Sequence, residues 1–409
     1  MSLRPDREVG VARGTMELLA PAGGREQLEM AIHFGADAVY LAGRRWGMRS
    51  SPRNFADDEL APAVALAHEH GVSVHVALNT LMTDADIDEL PRYLRLLDSV
   101  GADAAIVSDL GALALLREHA PRVAPHVSTQ ASVMNAVAAE QWLRLGARRV
   151  VLAREMTIAQ IADLRRRTSS ELELEVFAHG SVCMAYSGRC LLSAELMGDA
   201  RSASRGACAQ PCRWAWSLVE DREPSRPVSV ETDARGSYLL SSNDLCAIGL
   251  LDDLAEAGVD AVKLEGRAKG SYYVACVTNA YRHVLDGEPV APWRAELDLV
   301  SHRPYSTGFL LGDPTQNPGR DDYVRERRIV AVVGECERAA GGWATELVCR
   351  NRAEVGDEVA VLSPGRPVRG QSLPADLVRN GETYHMVLPF ETAPLDLVCL
   401  REPDERSGR

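Results

Sequence analysis

One pattern of apolar and polar positions recurs through the first two-thirds of the chain. A segment with apolar positions three and four apart closes on a glycine. A small or acidic residue follows, and then a run of apolar, often β-branched residues. The pattern occurs at FGADAVYLAG (34–43), VGADAAIVSD (100–109), LGARRVVLAR (145–154) and AGVDAVKLEG (257–266). Glycine accepts the left-handed backbone that ends a helix, and a short continuous apolar run suits a strand buried on both faces. Each occurrence therefore predicts the passage from a helix into a parallel strand. Further strands are predicted at MELLAPAG (16–23), VSVHVALNT (72–80), PHVSTQ (125–130) and LEVFAHG (174–180). REQLEMAIHF, DELAPAVALAHEH and IAQIADLRRR lie between them with a period near 3.6 and read as helices. Eight strands, each leading into a helix or an insertion, predict an α/β protein built as a closed (β/α)8, TIM-like barrel over residues 16–290. An open doubly wound sheet is the runner-up. No GxGxxG fingerprint follows the first strand, which gives a nicotinamide-binding version little support.

The seventh strand ends near His179 and the eighth begins near Ala261. A long insertion at about 181–260 therefore interrupts the last unit. From 291 the pattern changes again. VSHRPYSTGFLLGDPTQNPGRDD is rich in turn residues and reads as a linker over 291–325. RRIVAVVGECE, WATELVCRN, GDEVAVLSP, YHMVLPF and LDLVCLRE follow as short strand-like runs. With Gly and Pro turns between them, they predict a small all-β barrel domain over 326–400. Residues 1–15 read as a disordered extension and 401–409 as a frayed tail.

Bulk properties narrow the picture only modestly. The 409 residues carry a net charge of −13, which fits solubility and opposes a general nucleic-acid coat. No apolar run approaches the roughly 18 residues of a membrane span. The first fifteen residues lack the apolar region of a secretory signal, so a cytoplasmic protein is expected. Nine unevenly spaced cysteines do not read as a disulfide framework. Four of them, Cys276, Cys336, Cys349 and Cys399, sit in apolar or strand-like surroundings and read as inert core thiols.

Candidate chemistry concentrates at the start of the insertion. Cys183, Cys190, Cys208 and Cys212 are spaced C-x6-C-x17-C-x3-C. Four thiolates in a Gly- and Ser-rich segment can hold a 4Fe–4S cluster or a zinc ion, or remain free thiols. The set lacks the paired C-x2-C knuckles of common zinc sites and the C-x2-C-x2-C run of bacterial ferredoxins. Cys246 is a fifth candidate, either replacing Cys212 or serving as a core residue. In a barrel, residues just after the strands converge on one mouth. Asn79, Ser108, Asp109, Ser128, Gln130, Arg154, His179, Lys263, Glu265 and Arg267 hold such positions. Arg154, Lys263 and Arg267 can clamp a small dicarboxylate, with Asn79 and Gln130 as further substrate contacts. His179, Lys263 and Glu265 are the candidate catalytic groups, with His179 a proton donor or a neighbour to the metal centre. Two arginine clusters, Arg44, Arg45, Arg49 and Arg53, and Arg201, Arg205 and Arg213, read as solvated loops or local basic patches. No H-E-x-x-H, G-x-S-x-G or P-loop motif is present, and Cys183 with His179 is the only close nucleophile–base pair.

Several stretches resemble a known family. MELLAPAG (16–23), GADAVYL (35–41), EVFAHGSVCMAYSGRCLLS (175–193), GACAQPCRW (206–214), SSNDLC (241–246) and VKLEGRAKGSYYV (262–274) are similar to peptidase family U32. Members of that family are often labelled collagenase-like proteases. The resemblance covers about residues 16–395 and is greatest to a tRNA-hydroxylating branch. It implies an oxygen-independent iron–sulfur hydroxylase acting on the wobble uridine of the tRNA anticodon loop, with prephenate as hydroxyl donor. Cys183, Cys190, Cys208 and Cys212 become the implied cluster ligands, and iron–sulfur assembly factors the implied helpers. Other branches act on a ribosomal-RNA cytidine or on quinone precursors. A peptidase is the rival activity. Cys246 departs from the pattern of some relatives and leaves the fourth ligand open.

Overall fold

The computed structural model describes residues 16–48, 53–183, 190, 192–211, 217–218, 228–229, 243–312, 327–351, 356–372, 378–380 and 383–401. The extension at 1–15, the tail beyond 401, and Arg49, Cys212, Arg213, Trp214 and Trp216 lie outside them. The predicted barrel is present. Its strands are β1 (Glu17–Pro21), β2 (Ala38–Leu41), β3 (Ser73–Leu78), β4 (Ala104–Val107), β5 (Ala124–Val127), β6 (Arg149–Val151) and β7 (Glu173–Ser181). The insertion then contributes β8 (Ser217–Leu218), β9 (Val228–Ser229) and β10 (Asp244–Cys246) before the eighth barrel strand, β11 (Ala261–Leu264). Strands pair in parallel around the ring, and β11 closes it between β7 and β1.

Helices α1 (Arg25–His33), α2 (Asp57–Glu69), α3 (Asp84–Val100), α4 (Leu110–His119), α5 (Ala136–Arg144) and α6 (Ile158–Arg166) alternate with these strands on the outside. Local sequence explains their ends. Thr83 and Asp86 form a capping box at the start of α3, and Gly101 closes that helix at φ 79°. Thr157 and Gln160 do the same for the start of α6. A short α7 (Leu192–Met197) lies in the insertion, and α8 (Leu251–Glu256) precedes β11. Helix α9 (Ser271–Leu285) is almost wholly buried because it packs between the barrel and the C-terminal sheet.

Residues 291–312, expected as the first part of a linker, are packed. Helix α10 (Val290–Leu297) starts there, and β12 (Tyr305–Ser306) pairs with β10. Val300, His302 and Arg303 are buried. The turn-forming residues that suggested a linker bend this strap around the barrel mouth, where the Ile158 N–H donates to the Leu310 carbonyl.

The C-terminal β region is a seven-stranded antiparallel sheet. It contains β13 (Arg327–Ala339), β14 (Gly342–Cys349), β15 (Glu358–Ser363), β16 (Arg366–Ser372), β17 (Val378–Asn380), β18 (Thr383–Leu388) and β19 (Leu397–Arg401), ordered β16-β15-β19-β13-β14-β18-β17. Its own core is Val330, Val333, Leu347, Val361, Met386, Leu388 and their neighbours. Asn279 of α9 joins the two regions, donating to Ser363 O at 3.5 Å and accepting from Gly365 N at 3.2 Å. Cys276 and Cys399 are core thiols as expected. Cys336 and Cys349 are only partly buried, because each lies where its strand leaves the core.

Candidate functional site

The barrel interior is unusually polar. Such interiors are dominated by bulky branched side chains stacked in layers from alternate strands. Here β3, β5 and β7 contribute His75, His126 and Glu175 to one layer. Below it lies Arg149, which donates to Glu17 at 2.6 and 3.0 Å, to Glu173 at 2.9 Å and to Glu175 at 3.2 Å. Above it lie Tyr40, Ile106 and Lys263. The Lys263 ammonium contacts Glu175 at 2.9 Å and sits 4.3 Å from the centre of the Tyr40 ring. Burial pushes the Glu175 carboxyl up, but Lys263 and Arg149 outweigh it and hold it below its ordinary range. Burial pulls Lys263 down against the attraction of Glu175. His75 and His126 meet edge to face at 4.7 Å, and desolvation keeps both neutral. Their ligand atoms and those of Glu175 lie within 4.8 Å of one another. Glu175 is nevertheless already held by two cations, which oppose a third positive charge beside it.

This column opens into a cleft of about 650 Å³ at the C-terminal mouth of the barrel. Asn79, Gln130, Arg154, Cys183, Lys263, Glu265 and Arg267 all line it. Arg154 lies over the Phe177 ring at 3.8 Å and donates through Nη1 to Ser181 O at 2.6 Å. Its Nε is buried without a hydrogen-bond partner among the described residues. Arg267 is buried beside the loop at Gly47. Asn79 is committed to structure, accepting from Met48 N at 2.9 Å and donating to Ser128 Oγ at 3.2 Å. It thereby ties the β2–α2 loop to the mouth. Gln130 stands on the short turn after β5. Ser108 donates to Asn79 O, and Asp109 caps α4, so these two support the mouth from behind.

His179 is not brought to the cleft. It is buried at the far side of β7, with Tyr281 3.4 Å from Nδ1 and Tyr305 3.5 Å from Nε2. Tyr273 completes the aromatic cage at 6.0 Å between ring centres. Desolvation, aided by His302, Arg294 and Lys269, lowers its pKa to about 3. A neutral, caged imidazole is a positioning group at neutral pH, which corrects the expectation of a proton donor. Gly180 permits this arrangement. At φ 103°, it passes so near the Glu265 carbonyl that a Cβ would come within 2.4 Å of that oxygen.

Cys183 leaves β7 directly into the cleft wall, while Cys190 and Cys208 are half-buried in the insertion. Cys208 Sγ accepts the Gln210 N–H at 3.3 Å, a contact suited to a thiolate ligand. Among the described residues these three sulfurs do not form a group within 4.8 Å. Cys246 lies opposite His179 in the β7–β10 ladder, buried in the main core, where desolvation raises its thiol pKa. Among the described residues of the basic clusters, Arg45 pairs with Glu89, Arg53 with Glu59 and Arg205 with Asp86.

Sequence reasoning missed the residues of the column, namely Glu17, His75, His126, Arg149, Glu173 and Glu175. The available signal was period two. In SVHVAL, APHV, RVV and ELEV the polar residues fall on the alternation that faces the barrel axis.

Residues 23–319 match the family described as peptidase family U32. The chain is 37% identical to tRNA hydroxylation protein P1 of Bacillus subtilis over 306 residues, covering 73% of this chain and 71% of that protein. It is 30% identical to tRNA hydroxylation protein P of Escherichia coli, covering 93% and 94%. It is 37% identical to the 23S rRNA 5-hydroxycytidine C2501 synthase of Escherichia coli, covering 96% of this chain and 59% of that one. Among the described residues no helix is long and apolar enough to cross a membrane.

Proposed function

The chain belongs to peptidase family U32, and on that premise we propose that it is an RNA hydroxylase. Its substrate is the wobble uridine of a tRNA anticodon loop, hydroxylated at carbon five with prephenate as donor. The names of the relatives support RNA hydroxylation as the activity. The observation that carries the finer reading is the cleft, where Arg154, Lys263 and Arg267 stand around one opening with Cys183 in its wall. Cations in a partly dry site bind a dicarboxylate far better than they would in water.

Arg154 and Lys263 offer positive charge to the two carboxylates, and Arg267 adds a third. Gln130 and Glu265 are left to orient the nucleotide. A loop base reaches such a site by unstacking, which costs least where it is already single-stranded. Cys183, Cys190 and Cys208 would hold a 4Fe–4S cluster, with Cys212 as fourth ligand; Cys246, buried opposite His179 with its thiol pKa raised, suits the core instead. Such a cluster supplies one-electron chemistry at the cleft wall. The net charge of −13 and the paired rim arginines favour a transient, shape-guided RNA encounter.

The peptidase reading loses its only close pair, because His179 is caged away from Cys183. Two measurements test the proposal together. Protein purified without oxygen should show broad visible absorption that bleaches on reduction and is lost in Cys183→Ala. RNA nucleosides from cells lacking the protein should lose 5-hydroxyuridine, and the wild-type chain, unlike Cys183→Ala, should restore it. Colourless protein with unchanged nucleosides, or hydrolysis of gelatin by the metal-free chain, would overturn it.

A further inference from the structure

Only two of the 45 basic residues are lysines, Lys263 and Lys269. The chain uses arginine for every other cation, including the buried Arg149 and Arg267. A fixed positive charge in the cleft could therefore have been another arginine. An arginine keeps its proton under all ordinary conditions, whereas a buried lysine can lose it. Lys263 is at once a cleft residue and the top of the charged column: it is 4% exposed and lines the opening.

We propose that Glu175 is the positioning residue that holds Lys263 as the titratable cation of the cleft floor. This rests on the proposed reading of the cleft as a dicarboxylate site. The geometry is specific. Glu175 Oε1 takes the ammonium at 2.9 Å, while Oε2 is anchored by Arg149 at 3.2 Å. Arg149 is fixed in turn by Glu17 and Glu173 at the barrel floor. The titratable and charged groups around Lys263 are Glu175, Arg149, Arg267, His75, His126 and Tyr40, with Arg154 and Glu265 lining the same opening. Of these, Glu175 is the one carboxylate in direct contact. The cations push toward proton loss, and the two histidines are neutral. The ionised Glu175 beneath Lys263 therefore favours its charged form, and an entering carboxylate reinforces that charge from above. Glu175 never touches the ligand and acts through the ammonium.

Having two lysines makes the test direct. Chain labelled with 13C at lysine Cε gives two side-chain NMR signals, and Lys269→Arg assigns them. The expected result is that Lys263 titrates more than one pH unit lower in Glu175→Gln than in wild type, while Lys269 does not move. Prephenate binding, measured by calorimetry across pH, should lose its alkaline limb at correspondingly lower pH, with at least tenfold weaker affinity at pH 8. If Glu175→Gln does not fold, Glu175→Gln/Arg149→Met removes one buried cation with the anion and takes its place. An unshifted Lys263 titration overturns the inference. Failure of wild type to bind prephenate at any pH sinks the dicarboxylate reading instead, and the NMR titration still decides the role of Glu175.

Discussion

The barrel and the C-terminal sheet fill their interiors in opposite ways. The sheet excludes water with Val330, Val333, Leu347, Val361 and Leu388. The barrel places Arg149, Glu175 and Lys263 where branched aliphatics would normally stack, with a carboxylate at 0% exposure between two cations. A buried ion network is weak evidence for stability, because desolvation offsets much of the attraction. The contrast therefore separates an interior that serves only folding from one that also sets the charge of a cleft. In the first, energy follows volume. In the second, it follows protonation.

The largest test of this contrast is Glu175→Ala, which leaves Arg149 and Lys263 facing each other in a dry space. It should cost about 3–5 kcal/mol near neutral pH by denaturant unfolding. The deficit should shrink in acid. Glu175 has a depressed folded pKa, so its contribution is present above the unfolded value near 4.5 and lost as pH falls through the folded one. Leu388→Ala in the sheet should cost about 3 kcal/mol, and that loss should not vary with pH. If both deficits vary alike with pH, the two interiors do not differ as described.

A smaller effect comes from the caged His179. With its folded pKa at about 3 and an unfolded value near 6.5, the unfolded chain takes up the proton first. Stability is therefore full above pH 6.5 and falls toward pH 3, by about 2 kcal/mol on reaching pH 5. His179→Phe should flatten that limb, which a pH series of melting curves would reveal. Smallest in stability is Arg154→Gln. It should weaken prephenate binding about tenfold while moving stability by no more than about 0.5 kcal/mol. A change in stability larger than the change in binding would place Arg154 with the structural ions.

The barrel was legible because its helix–glycine–strand junctions repeat, and a repeated local signal survives errors at any one place. The cleft residues were legible for the same reason: a strand end is a topological address. Asn79, Gln130, Arg154, Glu265 and Arg267 reach the mouth because they follow strands, and Lys263 because it lies near the end of one. His179 also ends a strand, but β7 runs on through Gly180 to Ser181, and its side chain turns outward to the tyrosines. Extent past the ring, rather than residue type, decided its place. The column was missed because single polar residues inside apolar runs, such as His75 and His126, read as interruptions. Only the parallel register aligns them across strands. The strap at 291–312 was read as a linker because turn residues mark bends without saying whether the bend is packed.

The β7–β10 ladder bears on how the insertion is tied to the barrel. Ser181, Gly180 and His179 pair with Asp244, Leu245 and Cys246, so the insertion leaves and re-enters through one short seam. The ring closes mainly below it, where β11 meets β7 at Glu175, Val176 and Phe177, and shares only His179 with the seam. The segment between the two sides of the seam is therefore a cassette. Its length is thus a local property of the seam rather than of the ring, and its first residues, through Cys183, reach the cleft wall.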